Sequence, residues 1–319
     1  MSVKDKVARG QLSVYKAVTA KYQKFPLPIG FNVCQVGAYT VSEAKAEIDQ
    51  ALTVGYQEIT LTVSQDYNVG TWVYTRTATE IKEIIDYIKS KGVNANLKIH
   101  SLDAREMKEA LTLDIEAWKT EYLAYITAIV NTGILVQYVY VLNECGTMYE
   151  DVTMVTWINE VITLLKTIGR AGISFSEFPG VDRCLNTIKD NLQVIGVNHY
   201  PVASSEAMAQ IVTIDDMVES FSVWNPKEWI ETQNRLYPNT DVTITEIGCP
   251  TYWENYAFPA LTLYEGKTLT DSNGESTARY LNAFIKLFKN CNVKGLAVWY
   301  SNSHLTSPVL KVLEYWKGV

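Results

Sequence analysis

Short apolar, β-branched runs alternate with amphipathic helical stretches eight times along this chain, and this alternation is its most constraining feature. Continuous apolar runs bounded by turn residues are typical of strands that are buried on both faces, as in a parallel sheet. Eight such units predict either a closed barrel or an open doubly wound sheet. The strands are predicted near residues 29–34, 58–63, 95–100, 137–143, 172–176, 193–198, 241–246 and 294–300.

The helical stretches carry their own periodic signal. Ile81, Ile84, Ile85 and Ile88 fall on one helix face, and Gly92 follows as a C-terminal stop. The segment before residue 29 predicts an additional N-terminal helix outside the eight units.

The first strand-to-helix turn separates the two architectures. An open sheet that binds a nucleotide carries a glycine-rich turn after its first strand. Residues 35–39 read Gln-Val-Gly-Ala-Tyr and lack that pattern, and no P-loop is present. No Pro/Gly/Ser-rich linker marks a domain boundary. We therefore predict the α/β class, with one (β/α)₈ TIM barrel as a single domain over residues 1–319.

Composition limits the partners. The 319 residues are 47% hydrophobic, which is enough for one large core, and the net charge is −7. No basic stripe is visible, so nucleic acid is not an expected partner. The five cysteines form no CxxC pair, which predicts reduced thiols. The sequence makes no prediction of oligomeric state.

The opening segment and the apolar runs bear on location. The first residues read Met-Ser-Val-Lys-Asp-Lys and do not form a signal peptide. The longest apolar runs are of strand length, so no membrane partner is expected. We predict a cytoplasmic protein, or one released or particle-associated by a route that uses no signal peptide.

Two glutamates stand out at the predicted strand ends, where barrels of this kind place their active sites. Glu144 ends the fourth predicted strand and Glu246 the seventh, each after an apolar or β-branched run. A carboxylate at the barrel mouth is costly to desolvate unless it is paired or used. Glycoside hydrolysis needs such a pair, one protonated and one ionised. Structural ion pairs with Lys or Arg are the alternative for both residues.

The motifs around these glutamates resemble a known group of enzymes. Val141-Leu142-Asn143-Glu144 is similar to the Asn-Glu strand end of the clan A retaining glycoside hydrolases, and residues 244–250 resemble that clan's nucleophile strand. Cys249 stands where many members have tryptophan. Residues 97–100, Leu-Lys-Ile-His, look like the Leu-Lys-Pro-His of the mannanase-like branch. Residues 195–201 resemble the sixth strand end of galactanase-like members.

The resemblance implies roles for these residues. Glu144 would be the acid/base and Glu246 the nucleophile of a retaining O-glycoside hydrolase acting on an oligo- or polysaccharide. Tyr200 or His199 would orient Glu246, and strand alternation favours Tyr200. The substrate-binding residues predicted in this way are Asn143, His100, Asn198, His199, Tyr200, Trp299, Tyr252 and Trp253, with Trp299 stacking on a sugar face.

Neither a metal nor a cofactor is predicted. Only three histidines are present, and the region 32–35 lacks the His-X-His pair of metal-dependent barrel hydrolases. The main alternative function is a catalytically weak carbohydrate-binding or structural barrel of a particle or surface assembly. A barrel aldolase or isomerase would need a metal set or a Schiff-base lysine at the strand ends. Lys98 lies two residues before such an end, and His100 is better placed.

Overall fold

The strands set the architecture of this protein. The structure is a computed structural model that describes residues 28–33, 40–68, 71–100, 115–146, 148–223, 225–249, 253–257, 259, 273–299 and 304–317. The predicted N-terminal helix lies outside these residues. The described strands are β1 (Ile29–Val33), β2 (Glu58–Asn68), β3 (Thr71–Tyr74), β4 (Asn94–His100), β5 (Tyr138–Val141), β6 (Arg170–Phe175), β7 (Val194–Asn198), β8 (Asp241–Ile247) and β9 (Leu296–Val298).

Eight of these strands form a closed parallel barrel. Their order is β1-β9-β8-β7-β6-β5-β4-β2, and pairing between β1 and β2 closes the ring. Each of the eight predicted strands is present, although the fourth and the last are shorter than predicted. The predicted (β/α)₈ barrel is therefore confirmed.

The helices of the described residues follow the strands in the expected alternation. They are α1 (Val41–Val54), α2 (Ala78–Ser90), α3 (Ile115–Asn131), α4 (Val155–Leu165), α5 (Phe178–Arg183), α6 (Asn186–Lys189), α7 (Ile214–Phe221), α8 (Pro226–Leu236), α9 (Glu275–Phe288) and α10 (Ser307–Lys317). Short 3₁₀ turns cover Glu206–Met208 and Trp253–Tyr256. Across the described parts of the chain, no helix has the length and apolar character needed to cross a membrane.

The predicted apolar face of α2 is the face that packs on the barrel. Ile81, Ile84, Ile85 and Ile88 are all buried. Thr77 forms a capping box with Glu80 at the start of the helix, which satisfies backbone N–H groups that have no partner inside the helix. The strong periodicity of this segment explains why the sequence predicts it well.

Strand β2 extends beyond the barrel. It runs past its predicted end at residue 63 and pairs antiparallel with β3, with Gln65 opposite Tyr74 and Asn68 opposite Thr71. The hairpin rises from the carboxyl-end side of the barrel, where the sequence predicts only a loop.

The interior of the barrel is unusually polar. Alternate residues of each strand face inward, so Leu97 and Ile99 pack under the helices, while Asn96 and Lys98 lie inside. Apolar side chains usually fill this space in such barrels. Here the polar interior forms two hydrogen-bonded groups, one at each end of the strands.

The group at the amino ends of the strands centres on Glu58. This side chain is only 2% exposed, and its Oε1 accepts a hydrogen bond of 2.8 Å from Asn96 Nδ2. Glu58 lines a small cavity together with Thr60, Asn96, Tyr140 and Thr243. Burial raises the pKa of Glu58 from 4.5 to about 7, because an ionised carboxylate is poorly solvated there.

Replacing Glu58 by glutamine is expected to flatten the pH dependence of stability. The unfolded chain releases the Glu58 proton near pH 4.5 and the folded chain near pH 7, so the wild type loses stability between these values. The loss amounts to about 3 kcal/mol. Urea unfolding at pH 5 and pH 8 measures it, and Glu58→Gln should be the more stable protein at pH 8. Glu160→Gln on the exposed face of α4 is the matched control. Equal pH slopes in wild type and Glu58→Gln would contradict this account.

Candidate active site at the carboxyl ends of the strands

An irregularity in β8 turns Glu246 into the barrel. On the side of β7, Val197 pairs with Ile244, but Asn198 pairs with Glu246, so Thr245 is skipped. A β-bulge of this kind breaks the in-out alternation and redirects a side chain. Thr245 and Glu246 consequently both face the interior, although they are neighbours in sequence.

Two side chains hold the Glu246 carboxylate. Lys98 Nζ forms an ion pair with Oε1. The Tyr200 hydroxyl donates a hydrogen bond of 2.7 Å to Oε2. Glu246 is only 4% exposed. A cation and a hydroxyl donor, one on each oxygen, both favour the ionised form of a buried carboxylate.

Lys98 is the most deeply buried charged group of the site. Its side chain is fully buried, and its Nζ lies 5.0 Å from the centre of the Trp299 ring. Burial lowers the pKa of Lys98 to about 7, and the negative charge of Glu144 opposes this shift. Lys98 therefore interacts electrostatically with both glutamates.

Glu144 is placed by an unusual backbone. β5 ends at Val141, and the next residues include Leu142 with φ 52° and Glu144 with φ 60°. Left-handed conformations are costly for these residue types and cluster at functional sites. The Glu144 N–H donates a hydrogen bond of 2.9 Å to Ser174 O on β6, which helps to hold this conformation. The Glu144 side chain is half-buried, whereas Glu246 is buried.

Asn198 connects the two glutamate-bearing strand ends. Its Nδ2 donates to Glu144 Oε1 at 2.6 Å and to Asn143 Oδ1 at 3.2 Å. Its Oδ1 accepts hydrogen bonds from the hydroxyls of Thr245 at 2.8 Å and Ser174 at 3.2 Å. All the polar atoms of this buried amide are therefore used, so its orientation is fully determined.

His100 and Trp299 complete the group. His100 Nε2 lies 2.7 Å from Asn143 Nδ2, and its ring centre is 6.1 Å from that of Trp299. The Trp299 side chain is partly exposed, so it offers an aromatic face beside the two glutamates. Seven of the residues predicted for the site are thus brought together: Glu144, Glu246, Asn143, His100, Asn198, Tyr200 and Trp299.

The structure corrects the assignment of His199 to the substrate site. This residue faces outward from β7, is 4% exposed, and has its ring centre 5.0 Å from Phe178 and 5.7 Å from Phe284. Burial lowers its pKa to about 4, so it is a neutral core residue. The in-out alternation of the strand excludes His199 from the interior because Asn198 and Tyr200 occupy it.

The two aromatic residues predicted after β8 have different outcomes. Tyr252 lies outside the described residues. Trp253 packs edge-to-face on Tyr256, with ring centres 5.8 Å apart, and Arg279 lies over its ring at 5.6 Å. The described contacts therefore give Trp253 a packing role, and they do not join it to the two glutamates.

Sequence reasoning missed three members of the site. The sequence indicates Lys98 only as a possible Schiff-base lysine, and it does not single out Ser174 or Thr245. The period-two pattern of β4 was the available signal for Lys98, because it places Lys98 on the same face as His100. Within the part of the chain that the structure describes, no three His, Cys, Asp or Glu side chains are grouped so that they could hold a metal ion.

The closed eight-stranded parallel barrel is a fold shared with glycoside hydrolases of known structure. The chain is similar to a GH113 β-1,4-mannanase, with a TM-score of 0.65 and 14% identity over 92% of this chain and 100% of that chain. The GH113 β-mannanase of Alicyclobacillus acidocaldarius gives a TM-score of 0.57 and 13% identity over 91% of this chain and 97% of that chain.

The endo-β-1,4-mannanase of Thermotoga petrophila is also similar, with a TM-score of 0.53 and 12% identity over 94% of this chain and 77% of that chain. These structures carry the clan A fold, so the resemblance predicted from the motifs is confirmed at the level of the fold. No protein-family model matches the sequence, and no curated protein sequence matches it.

Proposed function

We propose that the protein is a retaining O-glycoside hydrolase in which Glu246 is the nucleophile and Glu144 the acid/base. The observation that carries the proposal is that the two carboxylates differ in burial and in the charge of their bonding partners. Glu246 is buried and bonded by Lys98 and Tyr200, whereas Glu144 is half-buried and bonded by the neutral amide of Asn198. Two carboxyl groups in different environments are what acid and nucleophile roles require.

The reaction follows from these roles. In the first step Glu246 forms a bond to the anomeric carbon, the glycosidic bond breaks, and the leaving oxygen takes the proton of Glu144. In the second step a water oxygen attacks that carbon, its proton passes to Glu144, and the Glu246 carboxylate is released. In this proposal Asn143, which is hydrogen-bonded to His100 and Asn198, would donate to a sugar hydroxyl.

The substrate class is a β-linked polysaccharide of neutral sugars. The similar structures include β-1,4-mannanases and a GH5-4 broad-specificity endoglucanase, which favours mannan- and glucan-type chains as first candidates. The partly exposed face of Trp299 beside Glu246 would stack on a sugar ring.

Hydrolysis of defined oligosaccharides tests the proposal. β-1,4-linked mannohexaose and cellohexaose are incubated with the protein, and the anomeric configuration of the first product is read by proton NMR. We expect cleavage with a β-configured product, and none with Glu144→Gln under the same conditions. Glu160→Gln is the control and should behave as wild type. An α-configured first product would overturn the retaining mechanism.

A second function is favoured by one contact. Glu246 forms an ion pair with Lys98. A structural ion pair with Lys or Arg is the alternative to a catalytic role for this residue. In a carbohydrate-binding barrel this pair would serve stability alone. Calorimetric binding of mannohexaose without any cleavage during long incubation, and with the same affinity in Glu246→Gln, would favour this second function over the first.

A further inference from the structure

Resting on the proposed function, we propose that the Thr245 hydroxyl positions the acid/base Glu144 through the side-chain amide of Asn198. Thr245 is a positioning residue in this account, because it acts on the reaction only through these two side chains. The β-bulge gives it this place, since it turns Thr245 as well as Glu246 into the barrel. Strand β8 then serves both carboxylates, because it carries Glu246 and also the hydroxyl that anchors the partner of Glu144.

The Glu144 carboxyl group depends on Asn198 for its position. The hydrogen bond to Ser174 O holds the Glu144 backbone, but a glutamate side chain has several rotatable bonds that a fixed backbone does not fix. Asn198 Nδ2 donates to Glu144 Oε1 at 2.6 Å. Among the residues that the structure describes, no other side chain forms a hydrogen bond or ion pair with this carboxyl group. A shift of the Asn198 amide would therefore move or release it.

The Asn198 amide is in turn anchored by two hydroxyl groups. The hydroxyls of Thr245 and Ser174 lie 2.8 Å and 3.2 Å from its Oδ1, and 2.8 Å from each other. The two shorter contacts form a chain in which Ser174 can donate to Thr245 and Thr245 donates to Asn198. All three side chains are at most 4% exposed, so bulk water does not replace a lost partner. Loss of the Thr245 hydroxyl leaves the amide oxygen with the longer contact alone, and this cost favours a shift of the amide.

The orientation of this amide decides which oxygen of Glu144 carries its proton. Because Oε1 accepts the Asn198 N–H, the proton of the acid lies on Oε2, which delivers it to the leaving oxygen. A reversed amide would present its carbonyl oxygen to Glu144, accept that proton and compete with the leaving oxygen. Reversal would also bring this oxygen against Asn143 Oδ1, which lies 3.2 Å from Asn198 Nδ2. The observed orientation is therefore the one in which Glu144 can act as the acid.

Two aryl glycosides that differ only in their leaving group test the inference. Dinitrophenolate departs from 2,4-dinitrophenyl β-mannobioside without a proton, whereas phenyl β-mannobioside requires one from Glu144. For both substrates kcat/KM reports the formation of the glycosyl-enzyme. Thr245→Val removes the hydroxyl at nearly constant shape, and Thr245→Ser retains it. Thr243→Val is the matched control, because it removes another buried hydroxyl of β8, one that is bonded to Tyr140.

The expected result is a loss that depends on the leaving group. Thr245→Val should lower kcat/KM for the phenyl substrate by about tenfold and leave the dinitrophenyl substrate within about twofold of wild type. Thr245→Ser should restore the phenyl substrate, and Thr243→Val should keep the wild-type ratio of the two values. An equal loss on both substrates would give Thr245 a structural role alone, and no loss on either would remove it from the reaction. Both results overturn the inference.

A double-mutant cycle tests the route through Asn198. Asn198→Ala removes the amide, so adding Thr245→Val to it should cost less than about twofold on the phenyl substrate. A full second loss would mean that Thr245 acts by another route, against the inference. Circular dichroism establishes that each variant is folded. If Thr245→Val is not, Ser174→Ala removes the other hydroxyl and should show a smaller loss of the same selective kind, and its absence overturns the inference.

The inference and the proposed function fail in different ways. Wild-type protein that cleaves neither the two mannobiosides nor their cellobioside analogues, and is not labelled by their 2-deoxy-2-fluoro derivatives, refutes the proposed function, and the inference falls with it. Wild-type protein that turns over both substrates, with an unchanged leaving-group preference in Thr245→Val, refutes the inference alone.

Discussion

Replacing Glu246 by glutamine is expected to lower kcat on the confirmed glycan by roughly 10⁴-fold or more, because the amide cannot form the glycosyl-enzyme. The change keeps the shape of the side chain and its contact with Tyr200. It removes the negative charge that forms an ion pair with the buried Lys98. Single-turnover kinetics with the wild type and the variant measure the loss.

A chemical rescue separates loss of the nucleophile from loss of structure. Glu246→Ala leaves space beside the anomeric carbon, and azide can attack from that side. We expect azide to restore part of the activity and to give a glycosyl azide of inverted configuration. Near-native turnover by Glu246→Gln would remove Glu246 from the nucleophile role and return weight to the carbohydrate-binding function.

Adding a methyl group at Gly172 is expected to have the largest effect on folding. Gly172 lies on β6 opposite Val194 of β7, and an added Cβ would sit 1.7 Å from Val194 O. That oxygen is backbone, so the two strands must separate for the side chain to fit. We expect Gly172→Ala to lose more than about 3 kcal/mol of unfolding free energy, or to remain unfolded.

Gly180 on α5 provides the matched control for Gly172. It is also buried, but an added Cβ would meet its nearest neighbour, Phe175 Cβ, at an ordinary 3.8 Å. Gly180→Ala should be neutral or slightly stabilising, because alanine is the better helix former. Urea unfolding followed by circular dichroism compares the two variants. Similar midpoints for both would show that β6 and β7 can move apart at little cost.

Much of the fold could be predicted because its strands are continuous apolar runs and its helices have one apolar face. The in-out alternation of a strand predicts that Asn198 and Tyr200 share one face of β7 and that His199 lies on the opposite face. This alternation favours Tyr200 as the residue that orients Glu246, whereas the motif resemblance also predicts His199 as a substrate-binding residue. The prediction for His199 rests on the motif resemblance alone. That resemblance matches residues 195–201 to a sequence pattern and does not take into account which side chains face inward.

The parts that could not be predicted depend on departures from regular geometry. A regular β8 would send Thr245 inward and Glu246 outward, and only the bulge places both inside. The positive φ angles of Leu142 and Glu144 also leave no mark in composition or periodicity. The role of Lys98 could not be predicted for another reason. Its ion-pair partner, Glu246, is distant in sequence, and only the fold brings the two side chains together.

The bulge in β8 has a consequence for how changes in this strand should be judged. Its extra residue lies within the stretch between Ile244 and Ile247. Deleting Thr245 would preserve the Glu-Ile-Gly-Cys-Pro motif and nearly every apolar residue of the strand. It would also restore a regular ladder, in which Glu246 takes the inward position of Thr245 beside Ser174 and Asn198. The carboxylate would then be displaced from the position at which Lys98 and Tyr200 bond it. A chain altered in this way would keep its signature and its fold while its carboxylate changes partners, so the register of the strand must be conserved here together with the identity of its residues.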